Sequence, residues 1–86
     1  MDRLQALAIS PSGFVFDAAN GATFTVNQPG RLILEGMQSG LGLQALVDRL
    51  VQAFYTGTSD LRRDVLAFVR NLKLQGLVDD SFQLED

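Results

Sequence analysis

Apolar and polar positions change rhythm part-way along the chain: short apolar or alternating runs come first, and after Asn27 the apolar positions recur at about every 3.6 residues. The early runs are Leu7-Ala8-Ile9, Phe14-Val15-Phe16 and Thr23-Phe24-Thr25-Val26, parted by Ser10-Pro11-Ser12-Gly13 and Ala18-Ala19-Asn20-Gly21. Short β-prone runs bounded by turn formers predict strands. Asn20-Gly21 marks the second break as a tight hairpin, because the tip needs φ > 0 and these residue types reach it at least cost. The second and third strands are therefore expected to be antiparallel neighbours.

The later period predicts three helices. In the first, Asn27 caps, Pro29 sits where a missing N–H does no harm, and Leu32, Ile33, Leu34 and Met37 precede a stop at Ser39-Gly40. The second carries Leu43, Leu46, Val47, Leu50, Val51 and Phe54 as one stripe opposite Gln44, Asp48, Arg49 and Gln52, and closes at Tyr55-Thr56-Gly57. The third begins at a Thr58-Ser59-Asp60 cap, turns Leu61, Val65, Phe68, Val69 and Leu72 inward, and ends where Gly76 can take a left-handed conformation. Leu77 and Val78 are expected to return to the core, and residues 79–86 to form an acidic tail holding Phe82 and Leu84.

Strands followed by helices predict an α+β domain: a three-stranded antiparallel sheet followed by three helices, packed on one face and winged-helix-like. With 86 residues there is room for a single core, assigned to residues 1–78. A composition of 47% hydrophobic and 20% charged residues suits a chain that folds unaided.

Composition removes most chemistry. Without cysteine or histidine there is no thiolate nucleophile, no disulfide, and neither the commonest zinc ligand nor the commonest general base near neutral pH. The carboxylates of Asp17, Glu35, Asp48, Asp60 and Asp64 fall on predicted turns, caps and solvent faces, with no spacing that pairs them beside a nucleophile. Gly30, Gly36, Gly40 and Gly42 match no phosphate-loop spacing. A non-enzymatic protein without cofactor or metal is the expectation. No apolar run approaches the roughly 18 residues of a membrane span, and the start of the chain lacks a signal-peptide pattern, so a cytoplasmic location without membrane contact is expected.

Charge is unevenly placed. Residues 1–60 sum to −2, residues 61–76 to +3 and residues 77–86 to −4. In a winged-helix arrangement Arg62, Arg63, Arg70 and Lys73 on the third helix would suit a DNA groove, with the Asn20-Gly21 hairpin as wing. An isoelectric point near 4.6 and the acidic tail oppose that alternative, because DNA affinity rests on phosphate neutralisation. The third strand offers a different feature: Thr23-Phe24-Thr25-Val26 is short, uncharged and without Pro or Lys, so at a sheet edge it is unguarded and can accept another strand. It would equally allow a homodimer or a purely structural oligomerisation role.

Several motifs together resemble the PqqD family, the peptide chaperones of pyrroloquinoline quinone biosynthesis, whose fold recurs as the precursor-recognition element of enzymes that modify ribosomal peptides. They are Phe16-Asp17 before the hairpin, Asn27-x-x-Gly30, Ile33-Leu34, Leu46-x-x-x-Leu50-x-x-x-Phe54, Asp64-Val65, Phe68, Leu72 and Gly76-Leu77-Val78. The resemblance implies a non-catalytic chaperone that binds the leader of a precursor peptide and presents it to a modifying enzyme, such as a radical SAM protein. Position by position, it implies a leader groove at Thr23, Phe24, Thr25 and Val26 and at Arg62, Leu66, Val69, Arg70 and Lys73. Where the family often has a polar cap before the second helix, this chain has Leu41-Gly42-Leu43. A frayed terminus is the expectation for the tail; the alternative is that Phe82 and Leu84, set among acidic residues and so resembling a leader themselves, occupy the groove of this chain or of a neighbour.

Overall fold

The computed structural model describes residues 3–54 and 60–85. A 3-10 turn, Arg3–Ala6, leads into strands β1 (Leu7–Ile9), β2 (Phe14–Asp17) and β3 (Ala22–Thr25), then helices α1 (Gln28–Gln38), α2 (Leu43–Ala53) and α3 (Leu61–Leu74). The sheet is antiparallel in the order β1-β2-β3, with Val15 opposite both Ile9 and Phe24. The fold is α+β, as the change of rhythm at Asn27 predicts.

Alternation along β2 makes the sheet two-faced. Val15 is fully buried and Asp17 only 2% exposed, whereas Phe14 and Phe16 stand 49% and 43% exposed on the opposite face. The inner face joins Leu4, Leu7, Ile33, Leu34, Leu46, Leu50, Val65 and Leu72 in one core, to which Leu77 and Val78 return after α3. Val51, part of the expected stripe of α2, is exposed.

The local signals act largely through the groups expected of them. Asn27 Oδ1 accepts from the Gly30 N–H at 2.9 Å, capping α1. Asp60 caps α3 by accepting from the Arg63 N–H, while Thr58, Ser59 and the Tyr55-Thr56-Gly57 stop lie outside the described residues. At the other end of α3, Gly76 has φ 75°, and the N–H groups of Gly76 and Leu77 donate to the carbonyls of Lys73 and Leu72, a Schellman closure.

Two expectations need correction. The hairpin is longer than a two-residue turn, since Asp17 pairs with Ala22 across Ala18-Ala19-Asn20-Gly21. Only Gly21 has positive φ, and Asn20 contributes instead through Oδ1, which accepts from the Ala22 N–H. Asp17 is a buried group and not a solvated charge: its Oδ1 accepts from the Ala19 N–H and its carbonyl from the N–H groups of Asn20 and Gly21, so it organises the turn.

Candidate functional site

Which sheet edge is open follows from the hydrogen-bond alternation. The Val26 N–H donates to the Gly13 carbonyl, 2.8 Å away, and in this register Val15 with Phe24 forms the next bonded pair. The backbone groups of Phe24 and Val26 therefore face β2, and those of Thr23 and Thr25 face outward. Both threonine side chains are exposed on the sheet's outer face, beside Phe16 and Phe14, while Phe24 packs inward against the core. Among the described residues no strand pairs with this side of β3.

The β1 edge differs. There the outward carbonyl of Leu7 accepts from Gln38 Nε2 at 2.8 Å, as does the carbonyl of Leu4. Gln5 Nε2 in turn donates to the Gln38 carbonyl. Helix α1 thus occupies one edge of the sheet, and among the described residues no strand pairs with the other.

The residues expected on α3 fall on a flank of their own. Val65, Val69 and Leu72 face the core. Leu66 is 50% exposed, Arg62 and Arg70 are exposed and Lys73 is half-buried. Arg62 Nη1 donates to Gln44 Oε1 at the start of α2, so this flank leans toward the α2 N-terminus. On the opposite flank, two residues and about 200° of helix rotation from Leu66, lies Phe68. An added Cβ on Gly30 would stand 3.0 Å from Phe68 Cε1 and 3.3 Å from Val26 Cβ, so Phe68 and the end of the β3 segment meet across this bare turn of α1. Phe68 is not among the residues expected in the groove, yet it stands beside the end of the β3 segment. Its place in the apolar period marked it only as core, and the helical wheel alone does not say which flank faces the sheet.

Phe68, Leu61, Ile33, Phe54 and Asn27 border a cleft of about 320 Å³ on this side. The other flank borders a separate groove of about 550 Å³, where Leu66, Val69, Arg70 and Lys73 stand against Phe82, Gln83 and Leu84. The expected site thus divides into an open strand edge with Phe68 nearby, and an α3 flank bordered across a groove by the chain's own tail.

Among the described residues, Arg31 and Arg49 both meet Glu35, at 2.9 and 3.6 Å. Among the described residues no three carboxylates gather as a metal site would require, and no helix is long and apolar enough to cross a membrane.

The family model described as Coenzyme PQQ synthesis protein D (PqqD) matches residues 13–78, from the turn before β2 to the last core residue after α3. The chain belongs to the PqqD family. PqqD-family proteins are non-catalytic accessory proteins, and membership implies a precursor peptide and a modifying enzyme as partners. No curated protein and no solved structure matches the chain.

Proposed function

We propose that this PqqD-family domain binds the leader of a ribosomally made precursor peptide as a fourth strand on β3 and presents it to a modifying enzyme, a radical SAM protein being the expected class. The observation that supports the reading is the asymmetry of the sheet: Gln38 occupies the β1 edge, while Thr23 and Thr25 leave β3 with outward-facing backbone groups and, among the described residues, no strand beside them. Strand addition supplies affinity from those main-chain groups, and side-chain pockets supply specificity. Phe24, Val26 and Phe68 offer an apolar wall to the leader residues that turn inward. Whether the pathway makes pyrroloquinoline quinone or another modified peptide depends on the leader sequence that this wall accepts.

The test is an NMR titration of labelled protein with synthetic leaders of precursor genes encoded beside its own. Slowed exchange and large shifts at the Thr23 and Thr25 amides are expected. If those amides are protected before any peptide is added, a second copy of the chain already holds the edge and the domain is an oligomerisation module. Unmoved amides with every leader would end the strand-addition reading.

A further inference from the structure

Residues 79–86 lie beyond the span that matches the family, yet the seat of residues 79–85 is built by several elements. After Val78 the chain turns at Asp79, whose Oδ1 accepts from both the backbone N–H and the hydroxyl of Ser81, each at 3.0 Å, and whose carbonyl accepts from the Phe82 N–H at 2.9 Å. Residues 82–85 then run without helix or turn, with Phe82 and Leu84 half-buried and Gln83 and Glu85 exposed. That is the two-residue period of an extended ligand with apolar anchors.

At the far end the Leu43 N–H donates to the Glu85 carbonyl, 2.5 Å away. Gly42, the N-cap of α2, has φ −85° and ψ −176°, a conformation open to any residue. Its lack of a side chain serves another purpose, because a Cβ there would collide with the Glu85 carbonyl. The start of α2 is thus shaped to admit the tail.

We propose that the α3 flank facing away from β3 is a second peptide seat. It takes an extended segment with apolar residues two apart beside acidic ones, and residues 82–84, which line its other side, occupy it in part and can be displaced. Leu66 and Val69 form its floor and the stems of Arg70 and Lys73 its rim. Among the described residues neither cation forms an ion pair, so residues 79–85 leave both charges for a better-placed carboxylate. A segment held by apolar contact and a short backbone bond, at the high effective concentration of a short tether, excludes weak ligands and yields to strong ones. The seat is distinct from strand addition at β3, and each stands or falls alone.

The probe is a synthetic peptide of residues 78–86, and the receiver is the full chain carrying Phe82→Ser with Leu84→Ser, observed by methyl and amide NMR. The peptide is expected to bind this variant at least about tenfold more tightly than the unsubstituted chain, whose seat its own tail occupies in part. The shifts should fall on the Leu66 and Val69 methyls and leave the Thr23 and Thr25 amides unmoved. Failure to bind the variant, equal affinity for both proteins, or shifts on β3 instead would each overturn the proposal. Should the double variant fold poorly, Gly42→Ser keeps the tail sequence and only blocks its approach: movement of the Leu66 and Val69 methyls is then expected, and their constancy would overturn the proposal as well.

Discussion

The side-chain amide of Gln38 reaches the carbonyls of Leu4 and Leu7 together, 2.8 Å from each. This contact blunts the β1 edge and so selects which side of the sheet stays open. Gln38→Leu preserves approximate volume and leaves both carbonyls without that donor, at a cost of roughly 1–3 kcal/mol. A lower urea midpoint with unchanged leader affinity is expected, since β3 lies on the other side of β2.

Proline substitution along β3 separates edge function from folding. At Thr25 the outward N–H takes no part in the ladder, so Thr25→Pro should keep the fold while removing a donor for an added strand. Phe24→Pro removes an N–H that faces β2 and should lower the thermal midpoint. Leader titrations and melting curves of the pair should therefore dissociate, with affinity falling by about tenfold or more in Thr25→Pro, in line with about 1.4 kcal/mol for a lost main-chain bond. Equal melting losses in the two variants would mean that the inward and outward assignment is reversed.

Arg70→Glu combined with Lys73→Glu reverses two charges on the rim of the α3 seat. Solvated charges of this kind contribute only about 0–1 kcal/mol to folding, so the melting temperature should scarcely move. An acidic leader long enough to reach α3 should bind roughly tenfold more weakly, measured by calorimetry at low salt. Unchanged affinity would remove both residues from the leader's path.

Asp79 gives the tail a pH dependence. The backbone N–H of Ser81, then its hydroxyl, favour the charged carboxylate and hold its pKa below the ordinary value. A folded pKa lowered in this way supplies stability that is present above the unfolded value, about 3.9, and lost as pH falls through the lowered one. The turn at residues 79–82 should therefore loosen only in strong acid. The Ser81 amide shift, followed downward from pH 5, should move at a lower pH than in an unstructured peptide of the same residues, and Asp79→Asn should abolish the step.

What the sequence made legible were features decided within a few residues. Asn27 and Asp60 cap the helices expected of them, and Gly76 closes α3 in the left-handed conformation. Alternation in β2 and the inward stripe of α3 likewise locate Val15, Val65, Val69 and Leu72 in the core. What was hidden depends on partners distant along the chain. Gln38 reads as a polar residue near the end of a helix, and nothing local says that it closes a sheet edge some thirty residues upstream. Leu66 and Phe68 both stand in an amphipathic helix, but only the packing of α1 at Gly30 decides which of them meets the end of the β3 segment. The unusual start of α2 at Leu41-Gly42-Leu43 has the same origin, its missing polar cap being replaced by a carbonyl from the tail.

Gly42 carries a consequence for how this chain's relatives can vary. With ordinary backbone angles, the position would normally gain from Ser or Asp as an N-cap, by about 1 kcal/mol or less relative to Gly. Here that gain conflicts with a carbonyl more than forty positions away. The two ends of the contact should therefore change together: a chain without an apolar-x-apolar segment at residues 82–84 is free to place a capping side chain at position 42, and one that keeps the segment is not. A single residue before α2 would then record, in the sequence alone, whether the tail is seated at the start of that helix.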